Sequence, residues 1–160
     1  ITQGKYNTIE NKFMDGVQFV TNKRYKRTSK SAVLLTSIDF YLIDTAGQVL
    51  AEFLHEDYKN VYPFENGLAR IQNAVGFYGF ISKDGQTALP YDYVFATDFK
   101  GKYALAQFNQ DGQSVTAFID KNGKVIKILP AAFKDLDYHG DKPYVLLKNK
   151  ETYFFDGKPY

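Results

Sequence analysis

A spaced series of glycines limits the fold more than any other feature. Gly47, Gly85 and Gly123 lie 38 residues apart, and each closes a similar segment. The segments read Phe40-Tyr-Leu-Ile-Asp44-Thr-Ala-Gly47, Phe77-Tyr-Gly-Phe-Ile81-Ser-Lys-Asp-Gly85 and Thr116-Ala-Phe-Ile-Asp120-Lys-Asn-Gly123. A shortened copy reads Tyr153-Phe-Phe-Asp156-Gly157. Apolar runs broken by Asp-Gly or Asn-Gly signal hairpins, because the favoured turns need positive φ. Gly47, Gly85, Gly123 and Gly157 are therefore expected to be structural turns. A period of this length implies stacked supersecondary units, none able to bury its apolar face alone.

A second landmark sits between the turns. Tyr58, Val61 and Phe64 return as Tyr93, Ala96 and Phe99, then as Phe133, Leu136 and His139. A strand-like run follows each time: Gly67 to Ile71, Lys102 to Ala106, and Tyr144 to Leu147. Phe13 to Val17 opens an analogous segment in the first unit. Helical spacing is missing, and short aromatic and β-branched runs dominate. The expected fold is all-β, an array of antiparallel hairpins or short meanders. About three and a half repeats would form one domain over 1–160, with units near 13–49, 50–87, 88–125 and 126–160. The first unit is enlarged and the last truncated. Periodicity leaves open whether the array stays open or curls toward a barrel or propeller-like form.

The repeat resembles the WG-containing repeat family. A typical unit runs Lys-Trp-Gly-Phe-Ile-Asp-Lys-x-Gly, then Ile-Pro, then Phe-x-x-Gly-Leu-Ala. Tyr78-Gly79-Phe80-Ile81-Ser82-Lys83-Asp84-Gly85 and Leu89-Pro90 match best, preceded by Phe64-Glu65-Asn66-Gly67-Leu68-Ala69. The third unit keeps Phe118 to Gly123 and Leu129-Pro130, and the first keeps Leu42-Ile43-Asp44 and Gly47. The naming dipeptide is the departure: the chain has no Trp, and Tyr78-Gly79 stands in its place. The resemblance implies a β repeat of the kind found in secreted or envelope-anchored bacterial proteins, with no shared catalytic set.

Composition narrows the chemistry. The chain has 160 residues, 20 Lys+Arg and 18 Asp+Glu, for a net charge of +2. Neither a strongly basic nucleic-acid binder nor an acidic disordered tail fits the chain as a whole. There is no Cys, which removes disulfides and thiolate chemistry, and only 2 His. No apolar run is long enough for a transmembrane helix. The chain opens at Ile1 rather than Met, which raises the expectation of an upstream segment and leaves secretion open.

Charge is uneven along the chain. Lys23, Arg24, Lys26, Arg27 and Lys30 put five cations in eight residues around Tyr25, and the remainder nets −3. The segment lies between the apolar stretches Val17 to Val20 and Ala32 to Leu35, so it reads as a long hairpin tip. Its plainer reading is a solvated loop. Its functional reading is a contact for phosphate, anionic lipid or acidic glycan. A nucleic-acid interface is disfavoured, since basic residues elsewhere are scattered at turns.

The 27 aromatics mostly suit packing between small units. A subset, with Tyr62, Tyr91 and Tyr93 foremost, offers stacking contacts for a protein or glycan. His55 and His139 have carboxylates nearby but lie 84 residues apart, so no metal site is assigned. The Asp-Gly turns lack the spaced oxygens of a calcium loop. No phosphate loop, nucleophile elbow or zinc-peptidase motif occurs. No cofactor or catalytic residue is assigned. The expectation is a non-catalytic binding or scaffold module, periplasmic, envelope-associated or extracellular. The alternatives are an enzyme acting on glycan or peptidoglycan, and a purely structural spacer.

Overall fold

The computed structural model describes residues 7–8, 13–14, 16–139, 142–155 and 158. Gly157 and the side chains of Tyr138 and His139 lie outside the described residues. Four successive sheets account for the strands. The first holds β1 (Asn7–Thr8), β2 (Val17–Arg27), β3 (Val33–Asp44) and β4 (Val49–Phe53), in that order. The second holds β5 (Tyr58–Glu65), β6 (Leu68–Asn73), β7 (Tyr78–Ile81) and β8 (Thr87–Tyr93). The third holds β9 (Phe95–Ala96), β10 (Tyr103–Gln110), β11 (Gln113–Asp120) and β12 (Val125–Ile128). The fourth holds β13 (Phe133–His139), β14 (Lys142–Leu147) and β15 (Thr152–Phe154). Every strand pairs antiparallel with its sequence neighbour inside its sheet. The expected all-β array of antiparallel meanders is what forms, and among the described residues no sheet closes on itself as a barrel. Among them, too, no helix is long and apolar enough to cross a membrane.

The periodic glycines make one turn three times. Gly47, Gly85 and Gly123 have φ of 81°, 80° and 79°. Each ladder shifts register just before the turn, between Leu42 and Ile43, Phe80 and Ile81, and Phe118 and Ile119. A bulge beside a left-handed glycine lets a short turn match strand twist. A side chain at the start of the turn completes it. Asp44 Oδ1 accepts from the Ala46 and Gln48 N–H groups at 2.9 and 2.8 Å. Asp120 Oδ1 accepts from Asn122 and Lys124 at 2.9 and 3.0 Å. Ser82 holds the equivalent place in the second copy. There the Asp84 carboxylate accepts from the Ser82 hydroxyl and the Gln86 N–H instead.

Three apolar layers lie between successive sheets. Phe19, Leu42 and Phe53 meet Phe64, Ile71 and Ile81 in the first. Phe80, Leu89 and Tyr93 meet Ala96, Phe99 and Ile119 in the second. Leu105 and Phe118 meet Val145, Leu147 and Phe155 in the third. Neighbouring residues of a strand point to opposite faces. So Phe80 serves the second layer and Ile81 the first, and both are fully buried. The second sequence landmark falls in these layers: Phe64 stacks on Phe19 at 5.5 Å, and Phe99 meets Phe80 edge-on at 5.0 Å. Burying one such ring contributes about 1.5–3 kcal/mol.

Gly79, the glycine of the Tyr-Gly dipeptide, is required by space rather than by a turn. A Cβ there would lie 2.8 Å from the Tyr91 ring and 2.9 Å from the Leu89 carbonyl oxygen. The Leu89 oxygen belongs to backbone and yields poorly. Gly79→Ala is therefore expected to destabilise the fold by about 1–3 kcal/mol. Equilibrium urea unfolding would read this as a lower midpoint, and an unchanged midpoint would show that β8 moves aside without cost.

Candidate functional site

The longest strands are β2 and β3, at 11 and 12 residues. Only part of each is packed. β2 is buried over Val17–Thr21 and exposed from Lys23 to Arg27. β3 is exposed from Val33 to Thr36 and buried from Asp39 onward, except for the half-buried Tyr41 and Asp44. The distal halves pair with one another as Arg27 with Val33, Lys26 with Leu34 and Tyr25 with Leu35. They form an arm that extends past the first apolar layer, about 17 Å over five residues at strand rise. Thr28 to Ala32 close its tip, with the Thr28 N–H on the Ala32 carbonyl at 3.0 Å.

The arm carries an unusual surface. Tyr25, Val33, Leu34 and Leu35 are 59, 60, 58 and 41% exposed. Lys23, Lys26, Arg27 and Lys30 are exposed beside them. From Gly16 to Ile38 the chain has no Asp or Glu. The ladder shifts between Arg24 and Tyr25, and the Thr36 hydroxyl ties the irregular strand back by donating to the Arg24 carbonyl at 3.0 Å.

Arg24 has a second role at the root of the arm. Its guanidinium meets Asp39 Oδ2 at 2.6 Å. Asp39 is fully buried, and its other oxygen accepts from the His55 N–H at 3.1 Å and lies 2.8 Å from His55 Nδ1. Burial alone would raise the Asp39 pKa. The His55 hydrogen bonds and the Arg24 charge outweigh it and hold the carboxyl below its ordinary value. This ties β2, β3 and the β4–β5 connection together where the arm leaves the body.

The other expected contact residues sit elsewhere. Tyr62 is half-buried, with the Arg70 guanidinium 3.8 Å from its ring centre. Arg70 also donates to Asp98 at 2.9 Å and to the Ala96 carbonyl at 2.7 Å, so this cluster joins the second and third sheets. Tyr91 and Tyr93 come together along a cleft of about 500 Å³ with Phe77, Phe108 and Val125. Tyr93 itself is only 7% exposed. Burial pushes both hydroxyls above the ordinary tyrosine value.

Two features escaped the sequence reading. Val33-Leu34-Leu35 read as an ordinary apolar strand, whereas it lies uncovered. Its signal was the absence of carboxylates around it. The second is a cleft of about 720 Å³ whose lining includes Lys100, Lys102, Lys142, Lys158, Tyr103 and Phe154. The lysines come from β14 and from the segments flanking β10 and β15, and the aromatics from β10 and β15 themselves, so no local run of charge announced them. Lys100 is partnered by Glu65 at 2.6 Å.

Comparison with known proteins bears on two segments of the chain. Residues 42–74 and 78–112 each match the WG containing repeat. The WG resemblance read from the sequence therefore holds over these two segments, with Tyr78-Gly79 in place of Trp-Gly at the start of the second. No curated protein matches the sequence. A crystal structure of HIRA(644-1017) is similar over 88% of this chain and 49% of its own, at 11% identity and a TM-score of 0.42. The chain thus spans about half the length of that structure.

The Asp39 knot makes a pH-dependent contribution. A carboxyl held below its unfolded value stabilises above that value and loses the effect as pH falls through its folded value. Asp39→Asn is expected to cost about 1–3 kcal/mol at pH 7. The gap to wild type should shrink as pH drops below the ordinary value of 3.8. Thermal unfolding at pH 7 and across the acid range checks this, and a gap independent of pH would refute the assignment.

Proposed function

We propose that the domain is a non-catalytic binding or scaffold module of a bacterial envelope or secreted protein, and that the β2–β3 arm is its contact surface. The observation that carries this reading is the arm itself. Four apolar or aromatic side chains are exposed there beside four cations in a carboxylate-free stretch. Folding does not use them, since the apolar layers end short of them. Large exposed apolar groups rimmed by charge commonly mark interaction sites. The WG repeats of residues 42–74 and 78–112 supply a rigid stack from which the arm extends. The family resemblance supports the envelope or secreted setting.

The partner is taken to be anionic, because cations gathered on one projection focus attraction on it. Lys23, Lys26, Arg27 and Lys30 would be changed to Gln, keeping Arg24 for Asp39. A control of equal net charge changes Lys59, Lys124, Lys134 and Lys148 instead. Retention on immobilised heparin at low salt is expected to fall for the arm variant and to change little for the control. Equal losses in both would reduce the effect to net charge and remove the arm from the function.

A further inference from the structure

We propose that the arm is a membrane-surface element that seats one face of its hairpin in the interface of an anionic lipid bilayer. This rests on the arm being the contact surface and names what it contacts. Directly paired residues of an antiparallel ladder share a face. Tyr25 with Leu35 and Arg27 with Val33 therefore lie on one face, and Lys26 with Leu34 on the other. Lys23 shares the face of Tyr25, as do Phe19 and Thr21 closer to the body. Opposite them, Phe40 and Leu42 pair with Thr21 and Phe19. That face packs against the second sheet through Phe19, Phe40 and Leu42. Past Ile38 it continues with Tyr25, Leu35 and Val33, which are exposed, and among the described residues no sheet covers it.

The chemistry of the exposed groups favours lipid over other anions. A sulfated or uronate glycan attracts cations but gains little from Val33 and Leu35. A folded acidic protein presents one surface and would cover one face of the arm. Here aliphatic side chains emerge on both faces, with Leu34 opposite Val33 and Leu35. A fluid medium can surround such a hairpin. Seated on this face, the arm places Tyr25, Val33 and Leu35 at the headgroup–acyl boundary, with the Tyr hydroxyl toward water, and lipid closes round the hairpin's edge to reach Leu34 on the other face. The stems of Lys23 and Arg27 run along the same face and return their charges to the phosphates. Lys26 and Lys30 add attraction from the other face and the tip. The Arg24–Asp39–His55 knot at 2.6 and 2.8 Å fixes the direction in which the arm leaves the body.

Because the chain has no Trp, a single introduced one reports on its own site. Leu35→Trp places the reporter on the seated face. Val75→Trp, at a site 78% exposed on the β6–β7 turn, is the control. Vesicles of phosphatidylcholine alone are compared with vesicles containing about 30% phosphatidylglycerol, by co-sedimentation and Trp emission. The expected result is binding to the anionic vesicles only, with a blue shift and quenching by brominated acyl chains for Leu35→Trp and neither for Val75→Trp. Lys26→Gln/Arg27→Gln/Lys30→Gln should weaken binding about tenfold or more. Val33→Ser/Leu35→Ser, made without the reporter, should do the same while keeping every charge. Unfolding midpoints of these variants should match wild type, since the changed groups lie outside the apolar layers. Vesicle binding without an emission shift overturns the seating of the face. Heparin retention without vesicle binding overturns the lipid assignment while sparing the arm as a contact surface. Loss of both overturns the two readings together.

Discussion

The structure depends on sheets that are apolar on both faces. A four-stranded meander with one apolar face needs a single partner. Here Phe80 and Ile81 follow one another on β7 and must be buried on opposite sides, as must Phe118 and Ile119 on β11. A sheet of this kind cannot be stable alone, so stacking is obligatory rather than optional. Aromatic rings suit the task, because each layer spans two backbones and few side chains are available to fill it. The stacked Phe95–Phe133 pair, 4.8 Å apart, does this between the third and fourth sheets.

The sequence repeat and the structural sheet are out of phase, and this has a mechanical consequence. Residues 42–74 run from the end of β3 through β6, and residues 78–112 from β7 through β10. Each repeat thus supplies the last strands of one sheet and the first strands of the next. A change within one repeat is felt in two sheets and in the layer between them. Polar contacts reinforce the same junctions. Arg70 reaches Asp98 and the Ala96 carbonyl, Asn66 donates to the Phe99 carbonyl at 2.6 Å, and Glu65 meets Lys100. These groups flank the Phe64 and Phe99 landmarks, so the aromatic seam and the polar seam run side by side.

Much of this was legible in the sequence. Spacing alone identified the turns at Gly47, Gly85 and Gly123, because positive φ at a bulge leaves glycine little competition. It also identified Phe64 and Phe99 as equivalent positions. Other features were not legible, for physical reasons. Gly79 is a tight contact with a strand ten residues away, which no local pattern encodes. Asp39 reads as an ordinary polar residue of an alternating strand, and its burial depends on His55 arriving from another element. The lysines of the larger cleft gather only after the third and fourth sheets dock. Tyr93 reads as a tyrosine free to stack on a ligand, yet its neighbours Phe80 and Phe108, at 6.3 and 6.1 Å, enclose its ring.

The arm is where the chain departs from its own period. The β10–β11 hairpin also runs past the layers, but its exposed end is polar, with Asn109, Gln110, Gln113 and Ser114. β2 and β3 overrun the layers by several residues, and the overrun is not made polar. Protein edges and projections are ordinarily blunted with charge on both strands. Here the cations sit on β2 and the tip, while Val33, Leu34 and Leu35 remain bare on β3. The charges bordering the bare strand are of one sign, which favours approach to an oppositely charged surface. Local rules broken at one place in an otherwise self-consistent fold are the pattern expected of a functional element. The buried apolar clusters lie in the layered stack and leave out Tyr25, Val33, Leu34 and Leu35, so these side chains add little to folding.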